Sequence, residues 1–181
     1  MIYLLAGHTV VNGKGTGAFG VNGFDEAVEA LRLRDDLTAA LRAKGVKVVN
    51  EVNDSPLAKV VAWLRSIVKA EDIVIEIHFN AGPETATGVE TLIDDTPTQQ
   101  ERLRAQALSM CVSSTLKIPM RGKAGVKLES ESQHSTLAII SVPSVAVNLL
   151  LEVFFCSNKN DVLKYYKNYD QLITNLANTI A

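Results

Sequence analysis

The segment from residue 71 to residue 82 constrains the fold more than any other. It begins with charged residues, continues through the β-branched run Ile73-Val74-Ile75 and ends on His78-Phe79-Asn80 before a Gly-Pro pair. β-Branched residues without helical periodicity are typical of a buried strand, and Gly82-Pro83 predicts its end. We place the last strand residue at His78, at the carboxyl end of the strand, where open α/β sheets bind their ligands.

Strand-like and helix-like segments alternate through the first half of the chain. Strands are predicted at residues 2–5 and 46–50, and helices from Asp25 to before Gly45 and from Pro56 to about Lys69. With the strand that ends at His78, the order is β-α-β-α-β. This order is typical of a parallel sheet with right-handed crossovers.

The second half of the chain adds further strands and helices around one long irregular stretch. These are predicted as a strand at 87–93, a helix from Pro97 to Leu116, the irregular stretch at 117–136, a short strand or helical turn at 137–141, a strand at 145–152, a loop at 154–161 and a final helix to Ile180. In the helix that begins at Pro97, we expect the inward side chains to be Leu103, Ala107, Met110 and Cys111. The whole chain, residues 1–181, is therefore expected to form a single α/β domain, with a mixed, mostly parallel twisted sheet and helices on both faces.

Charge and hydropathy exclude several classes of protein. The net charge is −2 and the basic residues are scattered, so the chain lacks the basic surface expected of a nucleic-acid-binding protein. No apolar run approaches the roughly 20 residues of a membrane-spanning helix. The chain opens on a predicted strand rather than a signal peptide, and the spacing of its two cysteines fits neither a CxxC site nor a disulfide framework. We therefore expect synthesis in the reducing cytoplasm without a signal peptide.

Two histidines follow two of the predicted parallel strands. His8 comes shortly after the strand at residues 2–5, and His78 ends the strand described first. Because parallel strands end at the same edge of a sheet, we expect the two imidazoles to point to one place. A hydrolytic zinc site takes three protein ligands and leaves one position for water, and two histidines with a glutamate are one such set. Glu26, at the start of the helix after the first strand, is the first choice for the third ligand, and Glu29, one turn further, is the second.

Glu152 is the candidate for proton transfer. It ends the strand predicted at 145–152, between Leu149-Leu150-Leu151 and Phe154-Phe155. An apolar environment raises the pKa of a carboxyl group towards neutral pH, which suits a general base or acid. The alternative interpretation is a surface carboxylate that closes the strand.

Glu76 has three interpretations that the sequence leaves open. By strand alternation it shares a face with His78, two residues and about 7 Å along the strand. A buried carboxylate needs a partner. Glu76 would hydrogen-bond a ligand histidine, replace Glu26 as a ligand, or pair with a basic side chain of a helix. We favour the contact with the histidine.

Two other features are weaker signals. Residues 15–20 read Gly-Thr-Gly-Ala-Phe-Gly, formally a dinucleotide-binding pattern, but they neither follow the strand directly nor open the helix. A loop at the rim of the site is the favoured interpretation. The third histidine, His134, lies in the irregular stretch at 117–136, where a lone histidine is more often solvated than catalytic.

Several motifs together resemble the Amidase_3 family of zinc-dependent N-acetylmuramoyl-L-alanine amidases, especially its compact phage-lysin members. They span nearly the whole chain, and the most specific of them surrounds His78. The motifs are Gly7-His8, the glycine-rich loop at 15–20, Glu26 ahead of residues 41–46, Ile77-His78-Phe79-Asn80-Ala81, Gly88-Val89-Glu90, Arg121-Gly122, and the pattern Glu-x-x-Phe-x-Ser-Asn-x-x-Asp at 152–161. The chain departs from the family pattern at Thr9-Val10, Glu76 and Phe154.

The resemblance implies a peptidoglycan hydrolase with one zinc ion per chain. By that resemblance His8, Glu26 and His78 bind the zinc, and Glu152 is the catalytic glutamate. The implied reaction is hydrolysis of the amide bond between N-acetylmuramic acid and L-alanine. The candidates for supporting or substrate-binding roles are Glu76, Asn80, Arg121 and His134.

A phage-type endolysin, made in the cytoplasm and acting on the cell wall or periplasm, is the expected protein. Two alternatives remain open on the sequence. One is another zinc peptidase or amidohydrolase on a related fold. The other is a non-catalytic cell-wall-binding domain. The oligomeric state is not determined by the sequence.

Overall fold

A six-stranded sheet organises the molecule in the computed structural model, which describes residues 1–11, 14–51, 55–132, 137–140, 142 and 147–181. The strands are β1 (Ile2–Ala6), β2 (Val10–Val11), β3 (Lys14–Gly15), β4 (Val48–Asn50), β5 (Ile73–Asn80), β6 (Glu90–Ile93), β7 (Val126–Leu128) and β8 (Val147–Phe155). The helices are α1 (Glu26–Ala43), α2 (Leu57–Ile67), α3 (Gln99–Leu116), α4 (Lys159–Lys167) and α5 (Tyr169–Ile180).

The strand order across the sheet is β4-β1-β5-β8-β6-β7. Neighbouring strands from β4 to β8 are parallel, β6 runs antiparallel to β8, and β7 is parallel to β6. β2 and β3 form a separate two-stranded hairpin. The predicted single α/β domain with a mixed, mostly parallel sheet is confirmed.

Alternate residues of the strands pack against helices on opposite faces of the sheet. On one face, Leu4 belongs to a large buried cluster that includes residues of α1, α3 and α5. On the other face, Tyr3 and Leu5 pack with residues of α2, in a smaller cluster. The period-two alternation of a strand places successive side chains on opposite faces, so helices cover both faces, as predicted.

A cluster of aromatic rings lies beneath the carboxyl ends of the central strands. Phe79 of β5 and Phe154 of β8 are fully buried, and their ring centroids are 5.0 Å apart. Phe24 and Tyr165 pack edge-on or tilted against both rings, at 5.0–5.5 Å. These separations are typical of favourable aromatic pairs. The cluster of Phe24, Phe79, Phe154 and Tyr165 is called the aromatic floor below.

Two central strands extend beyond their predicted ends. β5 continues past His78 to Asn80, and β8 continues past Glu152 to Phe155. A register shift between His78 and Asn80 keeps the two strands paired. The strands continue because their next residues are buried aromatic side chains rather than turn residues. His78 and Glu152 therefore lie inside paired strands, which hold their backbones more firmly than a loop would.

The final helix predicted to run to Ile180 is divided into two helices. α4 begins at Lys159, inside the predicted loop, and ends before Asn168, and α5 follows directly. Asn168 has φ −112° and ψ 18°, and its side-chain amide donates to the carbonyl of Lys164. Asparagine competes for backbone partners in this way and so favours helix ends.

The prediction of the buried face of α3 is wrong for two of its four residues. Leu103 is 58 % exposed and Met110 is 56 % exposed. The buried residues of α3 include Ala105, Leu108 and Val112. The apolar residues of this helix lie on more than one of its sides, so more than one apolar stripe fits the helical period. Only packing against the sheet selects the stripe that is buried.

Among the described residues, no helix has the length and apolar character needed to cross a lipid bilayer.

Replacement of Phe154 by alanine is expected to destabilise the fold strongly. The side chain is fully buried among three other aromatic rings, so the substitution leaves a cavity in the floor of the site. Large-to-small changes of this kind cost about 3–5 kcal/mol. Urea denaturation followed by circular dichroism measures the loss. Leu163→Ala, at a side chain that is 53 % exposed, is the control and should change stability by less than about 1 kcal/mol.

Candidate active site

The parallel sheet brings the candidate residues of three strands to one edge. Ala6 of β1 pairs with Ile77, and the amide of Gly7 donates to the carbonyl of Ile77 at 2.7 Å. His78 in turn pairs with Glu152 on β8. His8, His78 and Glu152 therefore lie side by side, although 70 residues separate the histidines and 74 separate His78 from Glu152.

The two histidine rings are in contact. His8 and His78 are arranged edge to face, with their ring centroids 5.1 Å apart. His8 has a φ of 66°, an uncommon conformation for a residue other than glycine. Gly7 is required here, because a Cβ at this position would lie 2.3 Å from the ring of His78.

Glu26 reaches the histidines from the first turn of α1. The side chain of Asp25 caps this helix by accepting from the amides of Ala27 and Val28. Glu26 is 3 % exposed, and its two oxygens face different imidazoles. Oε1 lies 3.0 Å from Nδ1 of His78, and Oε2 lies 3.4 Å from Nε2 of His8.

Backbone amides also bind this carboxylate. The amide of Phe79 donates to Oε1 of Glu26 at 3.1 Å, and the amide of Ala18 donates to Oε2 at 2.7 Å. Burial alone would raise the pKa of Glu26, but the hydrogen bonds and charges of His78, with the Ala18 amide and the His8 charge, hold it below its usual value. Glu26 is thus an ionised, fixed carboxylate.

His8, Glu26 and His78 form the group best suited to hold a metal ion among the described residues. One ligand atom from each lies within 4.8 Å of the others. Two imidazoles and one carboxylate are a donor set that zinc accepts. The acidic surroundings also favour a cation: although burial opposes protonation, the charge of Glu76 and the hydrogen bonds to Glu26 and Glu76 raise the pKa of His78 well above its usual value.

Glu29, the second choice for the carboxylate ligand, lies elsewhere. Its oxygens accept hydrogen bonds from the hydroxyl groups of Tyr165 and Tyr166, at 3.2 and 3.0 Å. It also pairs with Arg32 at 3.5 Å. Because these partners hold Glu29 on the side of α1 that faces α4, it is not part of the histidine group.

Glu76 contacts the far side of the His78 ring. Its Oε2 lies 3.2 Å from Nε2 of His78, and its side chain is 8 % exposed. Nδ1 of the same ring faces Glu26. The two nitrogens of His78 therefore have different carboxylate partners, as strand alternation predicted for Glu76.

Glu152 is the carboxylate with the strongest sign of functional use. Its pKa is raised to about 7, chiefly by burial; the charge of His78 opposes this rise, and the nearby carboxylates of Glu26, Glu90 and Glu76 add to it. Its Oε2 is buried without a hydrogen-bond partner in the described part of the chain. A buried oxygen of this kind is costly unless another molecule supplies the missing partner.

Glu90 lies opposite Glu152 on the neighbouring strand β6 and anchors a polar network. Its oxygens accept from Nε of Arg121 at 2.7 Å and from Nζ of Lys127 at 2.9 Å. The side-chain amide of Asn80 also donates to Glu90, at 3.1 Å. Arg121 is partly exposed, with its guanidinium 4.6 Å from the ring centre of Phe155. His134 lies outside the described residues.

A cavity of about 620 Å³ lies beside the histidines and Glu152. It is lined by both histidines and by four glutamates, Glu26, Glu51, Glu76 and Glu152. The sequence analysis named Glu90 only as part of a motif, without a role, and did not identify Glu51. Glu51 comes directly after β4, so the rule that drew attention to His8 and Glu152, a polar residue at the end of a parallel strand, could also have found it.

Amidases and an endolysin domain are among the solved structures with the same fold. A protein from Neisseria meningitidis assigned as an N-acetylmuramoyl-L-alanine amidase has a TM-score of 0.78 and 29 % identity, covering 99 % of this chain and 93 % of its own. The catalytic domain of the CD27L endolysin targeting Clostridia difficile has a TM-score of 0.75 and 23 % identity, covering 99 % and 95 %. An N-acetylmuramoyl-L-alanine amidase from Clostridium difficile 630 has a TM-score of 0.78 and 21 % identity, covering 99 % and 93 %.

The family model of N-acetylmuramoyl-L-alanine amidases of the Amidase_3 type matches residues 2–181. The chain therefore belongs to the Amidase_3 family, as its motifs indicated. Membership of this family supports an enzyme that acts as a peptidoglycan amidase. None of the curated proteins matches the chain.

Replacement of Gly17 by alanine tests whether His8, Glu26 and His78 bind a zinc ion. A Cβ at this position would lie 2.6 Å from Oε2 of Glu26 and 2.7 Å from Cδ2 of His8, so both side chains would have to shift. We expect the dissociation constant for zinc to rise about 10-fold or more, measured by competition with a chromophoric chelator. Gly82→Ala, whose Cβ would meet nothing closer than 3.3 Å, is the control. Equal affinities of Gly17→Ala and wild type would show that the ion does not bind at Glu26 and His8.

Proposed function

We propose that this protein is a zinc-dependent N-acetylmuramoyl-L-alanine amidase that hydrolyses the amide bond between N-acetylmuramic acid and L-alanine in peptidoglycan. The observation that carries the proposal is the convergence of His8, Glu26 and His78 beside the buried carboxylate of Glu152. Family membership over residues 2–181 supports the substrate.

One zinc ion per chain fits the three ligand groups. Nε2 of His8, the carboxylate of Glu26 and Nδ1 of His78 face one another, and these would hold the ion. A zinc ion in such a site lowers the pKa of its water to about 7 and polarises a carbonyl group. The aromatic floor below the strands, which includes Phe79 and Phe154, excludes bulk water from one side of this site.

Glu152 moves the proton in the proposed reaction. A carboxyl group with a pKa of about 7 is partly ionised at neutral pH, so it can both accept a proton and donate one. Glu152 takes the proton of the attacking water and delivers it to the nitrogen of L-alanine as the amide bond breaks. Glu152 lines the cavity beside His8 and His78, so its carboxyl group lies where a bound substrate can be reached.

Glu76 orients His78 as a ligand. When Nε2 carries the proton, it donates a hydrogen bond to Glu76. The lone pair of Nδ1 is then directed towards Glu26 and the metal position. Carboxylates that accept from a ligand histidine fix its tautomer and increase its basicity. Glu76 therefore acts on the metal through His78.

Arg121 is positioned to bind substrate at the rim of the site. Glu90 holds its Nε, while the side chain remains 36 % exposed. Asn80 supports the same glutamate from β5. A partly exposed guanidinium that is fixed at one end is suited to bind carboxylate or carbonyl oxygens of a muropeptide. His134 remains a candidate on the basis of the sequence alone.

A phage-type endolysin is the biological role that we favour. Similarity over 99 % of this chain and 95 % of an endolysin catalytic domain supports it. Such a protein is made in the cytoplasm and acts on the cell wall or periplasm after release.

Digestion of purified sacculi tests the proposed reaction. An amidase of this specificity releases peptides with new L-alanine amino termini and leaves the glycan strands intact. A different zinc peptidase would expose other amino termini, and a wall-binding domain would release no peptides. Either result would refute the proposal.

Glu152→Gln is expected to retain the fold and the zinc but lose turnover. Glutamine has the same shape but cannot transfer the proton, so kcat on muropeptides should fall at least about 100-fold. Elemental analysis of the purified variant should give one zinc per chain. His78→Ala is the matched contrast and should lose both zinc and activity. Near wild-type kcat in Glu152→Gln would exclude its role as the base.

Glu76→Gln is expected to weaken zinc binding without unfolding the protein. The amide oxygen of glutamine still accepts from Nε2 of His78, but it lacks the charge that strengthens the ligand. We expect the dissociation constant for zinc to rise about 10- to 100-fold, measured by chelator competition. Glu101→Gln neutralises another buried carboxylate, one that caps α3, and should leave zinc affinity unchanged. Equal losses in both variants would indicate a general effect of charge removal.

A further inference from the structure

Glu51 is a buried carboxylate in the cavity that the proposed mechanism does not use. Its side chain is 9 % exposed and lines the same cavity as the two histidines. Oε1 accepts from the backbone amide of Ala6 at 3.0 Å and from Nη1 of Arg34 at 2.6 Å. Oε2 is buried and has no hydrogen-bond partner within the described residues. One oxygen is thus fixed by the protein, and the other lacks a donor.

The position of Glu51 mirrors that of Glu152. β4 lies two strands from β5, with β1 between them, and β8 lies on the other side of β5. Glu51 follows β4 directly, so His8 and His78 lie between the two glutamates. Adjacent strands are about 4.8 Å apart, so Glu51 is about 10 Å from the strand that carries His78.

The charge of the cavity favours a cationic group at this position. The described residues that line it include four glutamates and no lysine or arginine. Arg34, which is 3 % exposed, lies behind Glu51 and keeps it oriented. A carboxylate oxygen that lacks a donor binds an ammonium group through a charge-assisted hydrogen bond, which is stronger than a bond to a neutral donor.

We propose that Glu51 is a specificity residue that binds the side-chain ammonium group of a basic third residue in the stem peptide. The proposal rests on the proposed function, because it assumes that a muramoyl peptide occupies the cavity. An extended peptide advances about 3.3 Å per residue, so a third residue lies about 10 Å from the scissile bond. Glu51 lies two strands from His78, so a long, flexible side chain on that residue can reach it.

Muramoyl tripeptides that differ only in the third side chain test this subsite. One substrate carries lysine, one carries Nε-acetyllysine, which lacks the charge, and one carries diaminopimelate, which adds a carboxylate beside its ammonium group. Wild type should cleave the lysine substrate with a kcat/KM about 10-fold or more above that of the acetyllysine substrate. The diaminopimelate substrate shows whether the subsite prefers lysine or diaminopimelate as the third residue. If it is cleaved as slowly as the acetyllysine substrate, the subsite is specific for lysine.

Glu51→Gln should remove this preference, so that the ratio of the two kcat/KM values approaches one. Glu51→Asp retains the charge and should retain part of the preference, which separates recognition from loss of fold. Asp35→Asn is the matched control, because Asp35 is the other carboxylate bound to Arg34 but is 53 % exposed and does not line the cavity. It should leave the ratio unchanged. An unchanged ratio in Glu51→Gln, or equal effects in Asp35→Asn, would overturn the proposal.

Calorimetry with the free tripeptides separates this proposal from the proposed function. If wild type cleaves none of the muramoyl peptides, the proposed function fails. The subsite is then decided by whether L-alanyl-D-isoglutaminyl-L-lysine binds wild type more tightly than Glu51→Gln. Equal binding by the two proteins refutes the role of Glu51, whether or not the enzyme is active.

Discussion

The site depends on the contacts between the carboxylate of Glu26 and the two histidines. The two oxygens of this carboxylate face His78 and His8, and they also accept hydrogen bonds from the backbone amides of Phe79 and Ala18. Helix α1, strand β5 and the glycine-rich loop therefore meet at one side chain. A buried carboxylate is stable only when it is paired and hydrogen-bonded, so the fold that positions Glu26 and the site that uses it require the same set of contacts.

The sheet places four polar residues in a row at the ends of adjacent strands. Glu152, His78, His8 and Glu51 follow one another across the ends of β8, β5, β1 and β4. Burial is the largest cause of the rise in the pKa of Glu152 to about 7. In the proposed mechanism, the same burial that stabilises the fold also prepares Glu152 for proton transfer.

Much of this site follows from strand patterns, because the sequence places polar residues at the ends of apolar runs. The positions of His8, His78 and Glu152 at one sheet edge were predicted in this way, and Glu76 was correctly placed on the face of His78. The buried face of α3 was not predicted correctly, because the apolar residues of that helix lie on more than one of its sides. The division of the last helix at Asn168 was missed as well, because one asparagine within a helical pattern is a weak signal.

The sequence by itself determined the fold class, the family and the row of strand-end residues, since these depend on local periodicity and on motifs that are contiguous along the chain. Only the tertiary structure showed that Glu26, and not Glu29 one turn further along the same helix, lies beside the two histidines. It also showed that Oε2 of Glu51 is buried without a hydrogen-bond partner among the described residues. Distances and burial arise from packing between distant segments, and no pattern along a single segment specifies them.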